Sequence, residues 1–277
     1  MTRILHLSDP HFGAADPTVA ANFLRTAAEM KQDVTILSGD LTMRVRSREL
    51  AAAREFVDQL PEPRLVIPGN HDIPAANQPM DRFFRPFNRY QRHFGDDLEP
   101  ELIVAGVHVV SLNSSRAFGF HADWSEGRLS KHQLARMRER FDASPADHRR
   151  VLVLHHPLLE LQVAGRAVVK PLAALMEAIE HARVDVVMCG HFHRSQILTA
   201  GLTDQWRAII SQAPTVCSTR LQGEPQGFHE ILMDGNRISA VHHVYRENRF
   251  IAAGSPVFEL SENGWIDAPG GRRTPAD

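Results

Sequence analysis

Short apolar segments alternate with longer amphipathic segments along most of the chain. The apolar segments are rich in Val, Ile and Leu, and each is followed by a turn-forming residue and polar residues. They cover residues 4–7, 34–37, 65–67, 151–154 and 184–188. Short aliphatic runs that end in turn formers are typical of buried β-strands. The pattern therefore predicts five strands, each with polar side chains just beyond its carboxyl end.

The amphipathic segments between these strands have the length and the spacing of α-helices. They cover residues 18–30, 47–60, 130–141 and 171–182, and Ser47 is a suitable N-cap for the second of them. Strands that alternate with helices are typical of an α/β fold with a largely parallel sheet covered by helices. Ligands bind to such sheets beyond the carboxyl ends of the strands, which is where the polar side chains lie.

Several parts of the chain depart from this alternation. Residues 74–100 are aromatic and basic and then acidic, which predicts a small helical insertion near the site, and residues 113–130 predict a loop. After residue 200 the pattern is β-rich, with a hairpin signal at 234–236. These late strands, which no helices separate, indicate a second sheet stacked on the first. We therefore expect one domain over residues 1–265 and a flexible tail over residues 266–277.

The composition narrows the functional class. The chain has 277 residues, of which 43% are hydrophobic, so a large core is expected. The net charge is −2 and the two signs are mixed along the chain, so the sequence shows no basic patch that would bind a nucleic-acid polymer or a membrane surface. The two cysteines, Cys189 and Cys217, indicate a reducing compartment. The absence of a signal-type apolar segment and of a transmembrane run predicts a cytoplasmic protein.

The polar side chains at the strand ends form a set that suits metal ions. The set consists of Asp9, His11, Asp40, Asn70, His71, Asp72, His155, His156, His191 and His193. Residues two apart in extended chain point to one side, so the D-x-H and H-x-H pairs can each offer two ligands to one place. Carboxylate, amide and imidazole groups together suit Mn, Fe, Zn or Co. Seven of these ten residues are candidate ligands, which is more than the four of a structural zinc site and fits two metals about 3.5–4 Å apart.

The ordered motifs DPH, GD, GNHD, HHP and GHFH resemble those of the calcineurin-like metallophosphoesterases. The resemblance spans residues 3–245. It implies a four-layer α-β-β-α sandwich of two stacked mixed sheets, with a dinuclear metal site at the carboxyl ends of the strands. It also implies an enzyme that uses two divalent or trivalent transition metal ions, Mn, Fe or Zn, with Mn or an Fe/Mn pair favoured.

The resemblance further implies a role for each motif residue. One metal would be bound by Asp9, His11, Asp40 and His193, and the other by Asp40, Asn70, His155 and His191. Asp40 would bridge the two ions. His71 would contact the phosphate or the leaving oxygen as a catalytic residue, and Asp72 would orient it by accepting a hydrogen bond from its other ring nitrogen. His156 has two alternative roles: it would either hold the metal ligands in position or only pack in the protein core.

Other motifs narrow the resemblance within the family. The GDLTMR run at 39–44 lacks the aspartate and arginine of protein phosphatases and the tyrosine of purple acid phosphatases. GDLT, GNHD, HHP and GRLS at 127–130, followed by Gln133, resemble class III cyclic-nucleotide phosphodiesterases and glycerophosphodiesterases. The resemblance implies hydrolysis of small phosphodiesters, with 3′,5′-cyclic nucleotides the leading substrates, by attack of a metal-bridging hydroxide. Arg44 would contact a second phosphate or begin a solvated helix.

Two other functions remain alternatives. A pyrophosphatase acting on nucleotide conjugates such as UDP-diacylglucosamine would need an apolar groove, for which the candidate residues are Phe83, Phe84, Phe87, Phe118 and Trp124. The UDP-diacylglucosamine pyrophosphatases of the family carry arginine where this chain has His71, which argues against this alternative. A non-catalytic scaffold on the same fold would lose metal ligands, whereas this chain keeps all seven. The expected partner is a small phosphodiester. Segments 74–100 and 113–130 would enclose its second ester group. A homodimer is possible.

Overall fold

The computed structural model describes residues 1–75, 78–116, 126–159 and 168–269. The helices within these ranges are α1 Pro17–Glu29, α2 Ser47–Asp58, α3 Pro79–Phe84, α4 Asn88–Phe94, α5 Lys131–Asp142 and α6 Leu172–His181. The strands are β1 Thr2–Leu7, β2 Val34–Leu37, β3 Arg64–Val66, β4 Glu101–Val104, β5 Val107–Leu112, β6 Arg149–Leu154, β7 Val186–Cys189, β8 Gln196–Ala200, β9 Ala208–Gln212, β10 Gly227–Asp234, β11 Arg237–Arg246, β12 Arg249–Gly254, β13 Val257–Ser261 and β14 Gly264–Asp267.

The strands form two mixed sheets, which confirms the predicted fold class. Sheet 1 has the order β14-β13-β11-β10-β1-β2-β3, with β12 paired to β11, and sheet 2 has the order β4-β5-β6-β7-β9-β8. Strands β1, β2 and β3 are parallel to one another, and so are β5, β6, β7 and β9. The expectation that the late strands make a sheet of their own was wrong. They extend both sheets instead, because β8 and β9 pair beside β7 while β10 pairs with β1.

Three apolar layers hold the four structural layers together. The central layer lies between the sheets and contains Ile4 and Ile36 of sheet 1 and Val151 and Val153 of sheet 2. The outer layers join α1 and α2 to sheet 1 and α5 and α6 to sheet 2. Both faces of the central strands are therefore buried. This is why their sequences read as continuous apolar runs instead of alternating ones.

The helix ends follow local capping chemistry. In α5, the N–H of Gln133 donates to Ser130 Oγ at 3.2 Å and the N–H of Ser130 donates to Gln133 Oε1 at 2.9 Å, which is a capping box. The GRLS…Q pattern thus has a structural explanation. Helix α2 has its N-cap at Arg46, one residue before the predicted Ser47, because the buried Glu49 carboxylate accepts the N–H of Arg46 at 3.3 Å.

Several predictions outside the motifs can be compared with the structure. Two short helices, α3 and α4, lie within the predicted insertion at 74–100, and β14 extends two residues into the segment predicted as a tail. Residues 117–125 of the predicted loop and residues 270–277 of the tail lie outside the described ranges. Strands β4 and β5 were not predicted. No helix among the described residues is long and apolar enough to cross a bilayer.

A chain of hydrogen bonds between buried histidines and serines crosses the space between the sheets. His6 Nδ1 lies 2.9 Å from Ser211 Oγ, and His6 Nε2 lies 2.9 Å from Ser38 Oγ. His229 extends the chain through Ser211 Oγ at 2.8 Å and Ser195 Oγ at 2.9 Å. Burial lowers the pKa of His6 to about 3 and holds the pKa of His229 well below its ordinary range. Both imidazoles are therefore neutral parts of the core.

This burial predicts a loss of stability in acid. Below the ordinary histidine pKa of 6.5, the unfolded chain takes up a proton at His6 that the folded chain does not, until the pH approaches the folded-state value of about 3. The free energy of unfolding should therefore fall by about 1.4 kcal/mol per pH unit for this residue. In urea unfolding of the metal-free protein, His6→Asn should flatten the pH slope by about that amount between roughly pH 6 and 4.5.

The matched control is His181→Asn, since His181 is exposed at the end of α6. This variant should keep the wild-type slope. Equal slopes for His6→Asn and the wild type would contradict a neutral buried His6.

Candidate metal centre

The carboxyl ends of five parallel strands place the predicted ligands at one edge of the sandwich. Three of these strands belong to sheet 1 and two to sheet 2, and the turns that follow them carry the motif residues. The predicted ligands are Asp9 and His11 after β1, Asp40 after β2, Asn70 after β3, His155 after β6, and His191 and His193 after β7. The structure brings all seven side chains together.

Most of these candidate ligands have an unusual backbone conformation. Asp9, His11, Asp40, His191 and His193 have φ between 48° and 74°, which is the left-handed region that L-residues rarely adopt. Each such residue costs roughly 1–2 kcal/mol, so surrounding contacts must hold it in place. The N–H of His11 donates to the Asp40 carbonyl at 3.0 Å, and the N–H of His191 donates to Asp9 Oδ2 at 2.9 Å. Hydrogen bonds between the turns therefore stabilise their strained conformations.

One cluster of ligand atoms consists of Asp9, His11 and His193, whose donor atoms lie within 4.8 Å of one another. The Nε2 atoms of His11 and His193 are 2.9 Å apart. Asp9 Oδ1 lies 3.3 Å from His193 Nε2, and Asp40 Oδ2 lies 3.5 Å from His11 Nε2. Asp9 Oδ1 is buried and has no hydrogen-bond partner among the described residues. A bound cation would satisfy this oxygen.

A second cluster lies on the other side of Asp40. Asp40 Oδ2 is 3.3 Å from His155 Nε2, and the amide oxygen of Asn70 is 3.2 Å from the same nitrogen. His191 lies beside His155, with ring centroids 5.2 Å apart. Because Asp40 lies within reach of both clusters, its carboxylate occupies the position that a bridging ligand requires.

Backbone carbonyls orient two of the imidazoles. His155 Nδ1 donates to the Ser38 carbonyl at 2.8 Å, and His193 Nδ1 donates to the Arg220 carbonyl at 2.7 Å. Each contact fixes the ring and directs Nε2 towards the centre of the site. Metal-binding histidines are commonly held in this way.

The site keeps its carboxylates ionised although they are buried. Burial opposes the charge of Asp9, but His193 and His11 hold its pKa well below the ordinary value. Burial likewise opposes the charge of Asp40, and His155 holds its pKa well below the ordinary value. In return, Asp40 outweighs the effect of burial on His155 and raises its pKa to about 9. Two buried anionic groups therefore require positive charge at this place.

His71 lies at the rim of the two clusters. Its backbone N–H donates to Asp40 Oδ1 at 2.8 Å, and its Nδ1 donates to the Met43 carbonyl at 3.0 Å. Its Nε2 accepts from Arg220 Nη1 at 3.4 Å. The ring therefore presents Nε2 towards the open side of the site.

The contacts of Asp72 differ from the predicted ones. Its Oδ2 accepts the backbone N–H groups of Gly69 at 2.9 Å and Leu41 at 3.0 Å, while its Oδ1 accepts the N–H and the hydroxyl of Thr42, both at 2.9 Å. The expectation that Asp72 orients the His71 ring is corrected, because the Met43 carbonyl has that contact. Burial, together with the charge of Asp40, raises the pKa of Asp72 to about 6. Asp72 links the turns after β2 and β3.

His156 lies behind the ligand rings. Its Nδ1 is 2.8 Å from Ser114 Oγ, and its ring centroid is 4.8 Å from that of His191. Burial holds the pKa of His156 well below the ordinary value. A Cβ at Gly127 would lie 2.3 Å from the His156 ring, which explains the glycine of GRLS. These contacts support a positioning role for His156.

A cavity of about 180 Å³ opens onto these side chains. It is lined by His11, Asp40, Asn70, His71, His191, His193, Arg220 and Gln222. Arg220 and Gln222 were not predicted from the sequence, because they lie in an irregular segment without a recognisable motif. Arg44 is exposed and is not among the lining residues. A larger depression of about 650 Å³ between α2 and His93 lies away from the predicted ligands.

Comparison with known proteins agrees with this geometry. The profile of the calcineurin-like phosphoesterases matches residues 2–195. A probable cyclic nucleotide phosphodiesterase of Synechococcus sp. is 29% identical over 240 residues, which cover 82% of this chain and 83% of that protein. A glycerophosphodiester phosphodiesterase of Enterobacter lignolyticus is 28% identical over 243 residues, which cover 76% of each chain.

A solved structure extends the agreement to the fold. The purple acid phosphatase of yellow lupin (Lupinus luteus) superposes with a TM-score of 0.68 at 11% identity. The match covers 92% of this chain and 53% of that protein, so this chain spans about half its length. Since the family profile matches more than half of this chain, the protein is a member of the calcineurin-like phosphoesterase family and a metallophosphoesterase.

Proposed function

We propose that the protein is a metal-dependent phosphodiesterase that hydrolyses small phosphodiesters. The observation that carries this proposal is the convergence of six other candidate ligand side chains around Asp40, with His71 at the rim of the same cavity. The names of two relatives, a probable cyclic nucleotide phosphodiesterase and a glycerophosphodiester phosphodiesterase, support diesters as the substrate class. We propose 3′,5′-cyclic nucleotides as the leading substrates.

The donor set fits two first-row transition metal ions, Mn, Fe or Zn, with Mn or an Fe/Mn pair favoured. We assign Asp9, His11, Asp40 and His193 to one ion and Asp40, Asn70, His155 and His191 to the other. The unpartnered Asp9 Oδ1 and the inward-facing imidazole nitrogens support this assignment. When bound, such a pair of ions supplies a nucleophilic hydroxide at neutral pH and polarises a phosphoryl oxygen.

His71 has the geometry of a proton donor to the leaving oxygen. The Met43 carbonyl holds the proton on Nδ1, so Nε2 is the nitrogen that faces the substrate. When Nε2 also carries a proton, it can donate that proton to the alkoxide as the P–O bond breaks. Asp72 supports this position indirectly, because it holds the Leu41 and Thr42 amides next to Met43.

A second candidate function rests on α3. Its side chains Met80, Phe83 and Phe84 are 70%, 44% and 74% exposed, so they are not ordinary helix core. This exposed apolar face within the insertion favours a substrate with a lipid or aromatic group, such as a nucleotide–lipid pyrophosphate. Phe118 and Trp124, which were predicted to line the same groove, lie outside the described residues.

The role of His71 predicts a dependence on the leaving group. His71→Ala should keep the wild-type metal content while kcat falls by about 10²–10⁴ for substrates with alkoxide leaving groups, such as 3′,5′-cyclic AMP. The loss should be smaller for p-nitrophenyl esters, whose leaving group needs little protonation. Steady-state kinetics and elemental analysis of the same samples measure both effects. A fall in metal content together with kcat would show that His71 is a ligand instead.

The phosphodiesterase function predicts a preference for diesters. With Mn²⁺, kcat/KM for bis-p-nitrophenyl phosphate should exceed that for p-nitrophenyl phosphate by at least about 10-fold, because binding of the second ester group helps to position the reacting phosphorus. The assay should include cyclic AMP, a glycerophosphodiester and a UDP-linked lipid. A preference for the monoester would refute the proposal. Activity on the UDP-linked lipid alone, lost in a Phe83→Ser/Phe84→Ser double variant, would favour the second candidate.

A further inference from the structure

The segment between β9 and β10 lies against the first metal motif and is fixed to it. The N–H of Val216 donates to the Ser8 carbonyl at 3.0 Å, and Thr215 Oγ1 donates to the Asp9 carbonyl at 2.6 Å. Further along, the N–H of Thr219 donates to the Ala14 carbonyl at 2.8 Å. The position of this segment is therefore set relative to Asp9 and His11, although its sequence carries no motif.

Arg220 is the residue by which this segment reaches the cavity. Its carbonyl accepts from His193 Nδ1 at 2.7 Å, and its own N–H donates to Ser218 Oγ at 3.1 Å, so its backbone is held on both sides. Its Nη1 lies 3.4 Å from His71 Nε2 and 3.7 Å from Met43 Sδ. Within the described part of the chain, the hydrogen bonds of its guanidinium involve no carboxylate.

A half-buried guanidinium without an acidic partner is well placed to bind an anion. Guanidinium groups bind phosphate oxygens through their fork of N–H donors, often by two parallel hydrogen bonds. Arg220 and His71 line the same cavity as Asp40 and Asn70, and the guanidinium lies beside His71 Nε2. A phosphoryl group beside Asp40 and Asn70 would therefore lie within reach of both side chains.

We propose that Arg220 binds a non-bridging oxygen of the reacting phosphoryl group, which rests on the phosphodiesterase function proposed above. The guanidinium then fixes the phosphorus and stabilises the negative charge that develops on its oxygens in the transition state. The contact to His71 Nε2 is released at this point, so both groups donate to the substrate. Because every phosphate ester has a non-bridging oxygen, Arg220 serves diesters and monoesters alike.

The test replaces the side chain and leaves the backbone carbonyl that holds His193. Arg220→Gln should lower kcat/KM for both bis-p-nitrophenyl phosphate and p-nitrophenyl phosphate by about 10²-fold, with unchanged metal content. The affinity of the Mn²⁺-loaded protein for inorganic phosphate, measured by calorimetry, should fall about 10-fold. Added guanidinium ion should restore part of the activity of Arg220→Ala. Arg249→Gln, which removes the same charge from a side chain that is 70% exposed, should behave as the wild type.

Other outcomes separate the two proposals. If the wild type hydrolyses diesters while Arg220→Gln stays within about threefold of it, the phosphodiesterase function stands and the role of Arg220 is refuted. Loss of metal in Arg220→Gln and Arg220→Ala would also refute it, since the side chain would then act through His193. If the wild type hydrolyses no ester, the proposed function fails, and the phosphate affinities of the wild type and Arg220→Gln still decide whether Arg220 binds phosphate.

Discussion

Two buried carboxylates, Asp9 and Asp40, determine the arrangement of this edge of the protein. Both are almost completely inaccessible to solvent, and both are held ionised. A buried negative charge is costly unless cations or hydrogen bonds compensate it. Histidines surround the two groups and provide this compensation in the metal-free protein, where Asp40 raises the pKa of His155 to about 9. Bound metal ions would replace the protons on these histidines. Among the described residues, the ion-pair partners of Asp9 and Asp40 are all histidines, and no lysine or arginine pairs with either carboxylate.

The scaffold holds this charged cluster on several strained turns, whose conformations are stabilised by contacts between the turns. Parallel strands of both sheets end at the same edge, and five of the candidate ligands adopt positive φ there. Hydrogen bonds between the turns, such as that from His11 N–H to the Asp40 carbonyl, fix these conformations. The buried Asp72 strengthens the same frame by accepting three backbone N–H groups and one hydroxyl. The candidate ligands are therefore positioned by the fold itself, and such preorganisation would favour metal binding and catalysis.

The sequence predicted the parts of this structure that depend on local patterns. Apolar runs gave five motif strands, amphipathic spacing gave α1, α2, α5 and α6, and polar residues at the strand ends gave the ligand set. It failed where distant segments decide the result. The late strands pair with both sheets, which depends on long-range partners such as β1 and β7. The role of Asp72 depends on the direction of a short 3₁₀ turn at Asn70–Asp72, and Arg220 reaches the cavity only because its segment binds to the loop after β1.

The central claim is that Asp40 lies between two metal sites built from these seven ligands. Anomalous diffraction from crystals of the Mn²⁺-loaded protein, recorded on both sides of the manganese absorption edge, tests it most directly. We expect two manganese peaks about 3.5–4 Å apart, one beside Asp9, His11 and His193 and the other beside Asn70, His155 and His191, with the Asp40 carboxylate in contact with both. A single peak at full occupancy, or two peaks that do not share Asp40, would contradict the account.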